Sequence, residues 1–137
     1  MILLDTNALI WLTAGSSRLG RDAMARIEAS TAERQLFMSV ISFWEIAMLV
    51  DKKRLALRDG LTVWATEILE HPGVKLTQVD PATALDAGSL PGDIHGDPAD
   101  RIIVATARAL GCPLLTSDER ILAYAEAGHV AAVDARV

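Results

Sequence analysis

The sequence has a single cysteine and no apolar run long enough to cross a membrane. One cysteine excludes an internal disulfide, and we expect Cys112 to be a small buried residue in a reducing compartment. The longest nearly apolar run, residues 40–50, contains Glu45 and is shorter than the roughly 20 residues that span a bilayer. The N-terminus lacks the basic segment of a signal peptide, and Asp5 interrupts its apolar residues. These absences predict a cytoplasmic protein that does not enter the membrane.

Positive charge is also scarce, since the formal net charge is −5 and the pI is about 5.1. A protein that binds nucleic acid mainly by charge is expected to be basic. Any binding of nucleic acid here therefore needs local basic patches, a metal ion or a partner. Basic side chains are by default interpreted as solvated surface, but two clusters of them could contact phosphates. The first cluster is Lys52, Lys53, Arg54 and Arg58, and the second is Arg18, Arg21 and Arg26.

The 137 residues predict one domain, 1–137, without a linker or an internal repeat. Strand and helix patterns alternate along the chain. We predict strands at residues 1–4, 35–39, 74–79, 113–118 and near 129–134, and helices at 7–12, 21–30, 40–50, 61–70, 81–90, 98–110 and 119–127. Ser16 and Ser17 are the expected caps of the second helix. This alternation predicts a three-layer α/β/α domain with a mostly parallel central sheet.

Most of the eighteen acidic residues lie where solvated surface is expected, but four adjoin hydrophobic elements. Asp5 and Asp118 each follow a predicted buried strand, Glu45 lies inside an apolar helix, and Asp100 begins another apolar helix. Ligands of open parallel α/β sheets bind at the carboxyl ends of the strands. The fold therefore places Asp5 and Asp118 at that edge, and the two helical acids can reach it.

A structural role is an alternative for several of these acids. Asp5 and Asp118 could cap the helices that follow them. At the start of the helix 98–110, Asp97 is expected to be the cap, and Asp100 is expected to face inward. Glu45 is the hardest to explain in this way, because it lies in mid-helix among apolar residues. Four such acids together make a purely structural explanation improbable.

Gathering carboxylates has an electrostatic cost, since two of them 4 Å apart repel by about 4 kcal/mol at an effective dielectric constant of 20. Such a pocket must hold protons, with raised pKa values, or bind a cation. Oxygen donors without a cluster of histidine or cysteine suit Mg²⁺ or Mn²⁺ rather than Zn²⁺. His71, His95 and His129 have no catalytic spacing, and we expect them in turns and loops. The hypothesis is that Asp5 occupies the end of a buried strand because a metal ion binds beside it.

Four segments, LLDTNALIW, SVISFWEIAML, DPADRIIVATA and LLTSDERI, resemble in order and spacing the acidic motifs of PIN-domain ribonucleases. They are most similar to VapC-type toxins of bacterial toxin–antitoxin pairs, and the resemblance covers nearly the whole chain. It implies a PIN-like fold and four catalytic, metal-binding acids: Asp5, Glu45, Asp100 and Asp118. It marks Thr116, Asn7 and Ser39 as supporting candidates and leaves open a contact of Asp97 with the metal through water.

The resemblance also implies a reaction and partners. The expected reaction is Mg²⁺- or Mn²⁺-dependent hydrolysis of RNA by in-line attack of water, which leaves a 5′-phosphate and a 3′-hydroxyl. The expected partners are a second copy of the chain and a cognate antitoxin that covers the site and supplies a cation. Arg101 is expected to pair with a neighbouring carboxylate. Four large apolar residues are candidates for a protein interface, although packing in the core explains each of them at least as well: Trp11, Trp44, Met48 and Trp64.

Two alternatives come from other classes of protein. Receiver-type signalling domains also bind Mg²⁺ through acids, but they need paired acids after the first strand and a late lysine. Here only Asp5 follows that strand, and no lysine occurs after Lys75. Hydrolases with a DxD loop are disfavoured because Asn7 occupies the second position. A PIN-like module that binds RNA or a partner without cleaving remains open, because only activity distinguishes it.

Overall fold

The computed structural model describes the whole chain, Met1–Val137. Five strands form one sheet: β1 (Ile2–Leu4), β2 (Leu36–Ser39), β3 (Val74–Thr77), β4 (Leu114–Thr116) and β5 (Ala132–Asp134). Seven helices surround it: α1 (Thr6–Ala14), α2 (Arg21–Ala32), α3 (Val40–Asp51), α4 (Leu61–Glu70), α5 (Pro81–Gly88), α6 (Pro98–Leu110) and α7 (Glu119–Glu126). No helix combines the length and the apolar character that a membrane span requires.

All strand pairs are parallel, and the strand order is β3-β2-β1-β4-β5. The chain therefore winds outward from β1 in one direction and then returns to the other side of β1 to form β4. A crevice opens at such a switch point, at the carboxyl ends of the two strands on either side of it. Those strands are β1 and β4, which end immediately before Asp5 and Ser117.

Successive side chains of β1 enter different cores, because strand residues point alternately to opposite faces of a sheet. Ile2 and Leu4 belong to a core that includes residues of α1, α2, α3 and α4. Leu3 belongs to a second core that includes residues of α5, α6 and α7. The sheet is thus covered on both faces, which confirms the predicted three-layer α/β/α fold. Cys112 is buried in the second core, as predicted.

The predicted serine caps of α2 are wrong. The helix has Gly20 at its N-cap, without a side-chain hydrogen bond, and the hydroxyl of Ser16 accepts the N–H of Arg18 instead. The C-terminal segment packs at this point: the carbonyl oxygen of Val137 accepts the N–H of Ala23, at 3.0 Å. A Cβ at Gly20 would lie 2.1 Å from the carbonyl carbon of Val137. A capping serine has no room there, so the helix begins at a glycine.

Candidate active site

Asp5 is fixed between two strands that are far apart in the sequence. Its backbone N–H donates to the carbonyl of Leu115 on β4, at 3.0 Å. Its side chain accepts two hydrogen bonds, from the N–H of Thr6 to Oδ1 at 2.8 Å and from the Thr116 hydroxyl to Oδ2 at 2.7 Å. The residue is only 5% exposed. Burial raises the pKa of Asp5 to about 6, and repulsion from Asp100 and Asp118 adds to this rise.

Asp118 is tied to Asp5 through a single hydroxyl group. The Thr116 hydroxyl that donates to Asp5 also accepts the backbone N–H of Asp118, at 3.0 Å. Asp118 caps α7 as well, and its Oδ2 lies 3.2 Å from an Nη2 of Arg120. Burial opposes its ionisation, but the hydrogen bonds from Arg120 outweigh burial and hold the pKa of Asp118 below its usual value. Thr116, a supporting candidate from the sequence, therefore connects two of the acids.

Glu45 is held by the residue that follows Asp5. The Thr6 hydroxyl donates to Oε1 of Glu45 at 2.6 Å, and it lies 2.9 Å from the hydroxyl of Ser42. Because the single proton of Thr6 goes to Glu45, Ser42 is the donor in the second contact. Partial burial raises the pKa of Glu45, and Asp100 and Asp5 raise it further. Sequence reasoning missed Thr6, although its position directly after a candidate ligand was a signal.

Asp100 lies in the first turn of α6. Oδ1 of Asp97 caps this helix by accepting the N–H groups of Ala99 and Asp100, at 3.0 and 3.3 Å, which confirms the predicted cap. Burial raises the pKa of Asp100, although a hydrogen bond from His95 opposes the rise. Oδ2 of Asp100 is 2.7 Å from Nε2 of His95. His95 lies in a loop, as predicted, but its contact with Asp100 was not predicted.

The prediction that Arg101 pairs with a neighbouring carboxylate is wrong, because its guanidinium contacts backbone carbonyls. Its Nε donates to the carbonyl of Ala87 at 2.8 Å, and its Nη1 donates to the carbonyls of Ile94 and His95 at 3.4 and 3.5 Å. The guanidinium instead holds the backbone that leads into α6. It has this role because the last carbonyl groups of a helix, here Ala87 of α5, and those of a loop, here Ile94 and His95, lack donors within their own element.

The four predicted acids all face one region. Asp5 is repelled by Asp100 and by Asp118, and Glu45 is repelled by Asp5 and Asp100. Donor atoms of His95, Asp100 and Asp118 lie within 4.8 Å of one another. The other two supporting candidates are less directly involved, since Asn7 is exposed and Ser39 caps α3 by accepting the N–H of Ile41.

The donor set fits a hard divalent cation. The hydrogen-bond donors to Asp5 and Glu45 are neutral, and neither acid has a cationic side-chain partner. Clustered carboxylates with little compensating charge are favourable only when they are protonated or when a cation binds. Carboxylate and water oxygens are the ligands that Mg²⁺ and Mn²⁺ prefer. Asp5, Asp100 and Asp118 would hold such an ion, with Glu45 beside it.

A groove of about 640 Å³ lies elsewhere, among residues of α1, α2 and α4, and none of the four acids lines it. A large apolar pocket is the default place to look for a small-molecule site. Here the chemically reactive groups are on the crevice at β1 and β4. The candidate site is therefore defined by its carboxylates and not by the size of a cavity.

Fold and site together define a class: a small parallel α/β protein whose carboxylates collect where the strand order reverses. Within that class, the chain belongs to the PIN domain family, whose model matches residues 2–127. It is 34% identical over 123 residues to Ribonuclease VapC22 of Mycobacterium tuberculosis, which covers 90% of this chain and 91% of that protein. The predicted resemblance is confirmed, and the receiver-domain alternative has no support.

Solved structures at lower identity share the fold. VapBC2 from Rickettsia felis, bound to a DNA fragment from its promoter, superposes with a TM-score of 0.71 at 16% identity, over 98% of both chains. A toxin–antitoxin complex from Klebsiella pneumoniae gives a TM-score of 0.63 at 23% identity, over 97% of this chain and 96% of the other. At these identities the likeness establishes the three-layer architecture and nothing finer.

Proposed function

We propose that the protein is a divalent-metal-dependent endoribonuclease and the toxin of a toxin–antitoxin pair. The observation that carries the proposal is Asp5, a buried carboxylate with no cationic side chain beside it, at a crevice shared with Asp100 and Asp118. Similarity to a ribonuclease over nine-tenths of the chain supports the choice of reaction.

The side chains divide the work of hydrolysis between them. Asp5, Asp100 and Asp118 would hold the metal ion. Bound Mg²⁺ or Mn²⁺ supplies positive charge for the phosphate oxygens and makes water more acidic. Glu45 is the candidate general base: Thr6 occupies its Oε1, so Oε2 is available to accept a proton from the attacking water. The raised pKa of Glu45 brings this carboxylate closer to the pH at which it must accept and release protons.

The expected substrate is the phosphodiester backbone of RNA. Attack by water leaves a 5′-phosphate and a 3′-hydroxyl, so the reaction has no need of the 2′-hydroxyl. Asp5 stays oriented during this attack because Thr6 and Thr116 hold both of its oxygens. A fixed orientation of this kind lowers the entropy cost of bringing water and phosphate together.

The proposed partners are a cognate antitoxin and a second copy of the chain. The structural neighbour from Klebsiella is described as a toxin–antitoxin complex. A cationic side chain of an antitoxin would bind favourably in this crevice, because its positive charge would offset the repulsion between the clustered carboxylates. For the homodimer, Trp44 is the strongest of the interface candidates because it is 56% exposed on α3, whereas Trp64 is buried.

Cleavage assays with purified protein test the activity. We expect end-labelled RNA to be cut with Mg²⁺ or Mn²⁺ and to remain intact in EDTA. Asp5→Asn and Asp100→Asn should abolish cleavage, and Glu45→Gln should slow it by about 10²–10⁴-fold, the usual effect of a lost general base. Asp51→Asn is the matched control, since Asp51 is exposed at the end of α3. Unchanged far-ultraviolet circular dichroism shows that each variant is folded.

The non-cleaving alternative makes the opposite prediction. A module that only binds would retain RNA in a gel-shift assay and leave it intact in Mn²⁺. Expression in a host without the partner adds a second criterion, because a toxin should arrest growth and the Asp5→Asn variant should not. Growth that is unaffected by an active nuclease would contradict the toxin assignment and leave the ribonuclease assignment standing.

A further inference from the structure

His95 contacts the candidate metal site although no PIN-like motif in the sequence pointed to it. Its Nε2 is 2.7 Å from Oδ2 of Asp100, and its side chain is only 14% exposed. Its other ring nitrogen, Nδ1, is buried and has no hydrogen-bond partner. Buried polar atoms without partners are uncommon in folded proteins and call for an explanation.

The two ring nitrogens decide which tautomer is present. A neutral imidazole carries one N–H, and the opposite nitrogen is an acceptor. A proton on Nε2 gives Asp100 a donor and leaves a buried acceptor at Nδ1. The other tautomer would turn a nitrogen lone pair toward a carboxylate oxygen and bury an unpaired N–H. The Nε2–H tautomer is therefore the favoured one, and His95 is a hydrogen-bond donor to Asp100.

The loop that carries His95 is fastened to the helix that carries Asp100. Arg101, the residue after Asp100, donates to the carbonyls of Ala87, Ile94 and His95. The hydroxyl of Tyr124 donates to the carbonyl of Pro91 in the same loop. Loops are normally the mobile parts of a fold. Here three hydrogen bonds from α6 and α7, to the carbonyls of Ile94, His95 and Pro91, set the position of His95 relative to Asp100.

We propose that His95 is a positioning residue, which holds Oδ2 of Asp100 through Nε2–H so that Oδ1 is presented to the metal ion. The inference rests on the proposed function, since it presumes that Asp100 binds a metal. Ligating carboxylates are commonly hydrogen-bonded by a second layer of side chains. His95 is not itself a ligand in this arrangement, because Nε2 is engaged by Asp100 and Nδ1 is buried.

Binding of Mn²⁺, measured by electron paramagnetic resonance of the free ion, tests the proposal without any assay of activity. We expect His95→Ala to weaken Mn²⁺ binding by about 10–100-fold, the usual effect of losing such a partner. His95→Gln should restore most of the affinity, because its amide N–H can reach the position of Nε2. The control is His71→Ala, whose ring accepts only the backbone N–H of Gly73.

Pulsed electron paramagnetic resonance separates a positioning role from direct ligation. The proposal predicts no coupling of Mn²⁺ to a directly bound histidine nitrogen in the wild-type protein. Such a coupling would overturn it, and so would equal Mn²⁺ affinity in the wild type and His95→Ala, or a failure of glutamine to restore binding. A wild-type protein that binds no Mn²⁺ would overturn the proposed function and this inference with it.

Discussion

At the scale of the single residue, Asp5 shows a conflict between stability and function. Burial raises its pKa to about 6 in the folded chain, from an ordinary value of 3.8. Between these two values the folded state binds more protons than the unfolded state, so the free energy of unfolding falls as the pH rises. A difference of about two pKa units is worth about 3 kcal/mol. The contribution of Asp5 to the stability of the metal-free protein is thus least favourable at the pH where this carboxylate is ready to bind a cation.

Asp5→Asn should therefore stabilise the metal-free protein. Asparagine keeps a neutral oxygen for the N–H of Thr6 and loses the buried charge. Its amide nitrogen cannot accept the Thr116 hydroxyl, so that hydrogen bond is lost and we expect a gain below about 3 kcal/mol at pH 7.5. The gain should shrink toward pH 4.5, as Asp5 of the wild type becomes protonated. Urea denaturation in EDTA at several pH values measures this. Asp51→Asn, a change of the same charge at an exposed helix end, should show no such trend, and a gain independent of pH would contradict the explanation.

At the scale of the element, local patterns in the sequence were sufficient to locate the strands and helices. Residues 61–70 and 98–110 were predicted as helices with the bounds of α4 and α6. Acids at strand ends were recognisable because apolar runs stop there. The pairing of β1 with β4 was not recognisable, because it brings together Leu3 and Leu114, which are far apart in the sequence. That pairing is what places Asp118 beside Asp5.

Contacts made by loops and chain ends were beyond sequence reasoning for a similar reason. His95 meets Asp100 only because the loop folds back onto the start of α6, and its position two residues before the Asp97–Pro98 cap does not by itself reveal this fold. The start of α2 at Arg21 was predicted correctly, but its N-cap was not, because Gly20 packs against Val137, more than a hundred residues away. In both cases a non-local contact decides the local structure.

Substitutions of Asp97 can distinguish a role as helix cap from a role in catalysis. Asp97→Ala removes the acceptor for two N–H groups of α6 and should lower the free energy of unfolding by about 1 kcal/mol. Asp97→Ser keeps a capping oxygen without the charge, so both stability and RNA cleavage should stay near the wild-type values. Urea denaturation and the cleavage assay measure the two effects. Loss of cleavage in the serine variant, with stability retained, would instead place Asp97 in contact with the metal through water.

At the scale of the whole molecule, net charge works against the proposed substrate. The protein carries a formal charge of −5, and an anionic RNA backbone must approach the acidic crevice at β1 and β4. Both basic groups named from the sequence are exposed and so remain available for phosphates. Lys52 directly follows α3, the helix of Glu45, and the seven helical steps from Glu45 to Lys52 span about 10 Å along the axis. This relation to a catalytic candidate favours the group at residues 52–58 as the RNA-binding surface.

Two triple variants with the same change of charge test this assignment. One replaces Lys52, Arg54 and Arg58 by glutamine, and the other replaces Arg18, Arg21 and Arg26. Affinity for a fluorescent single-stranded RNA is measured by anisotropy in EDTA, where no cleavage is expected, over a range of salt concentrations. Each lost phosphate contact lowers the slope of log K against log salt by about 0.7, so the first variant should lose about 2 and the second much less. Equal losses would show that only bulk charge matters, and a larger loss in the second variant would move the RNA-binding surface to α2.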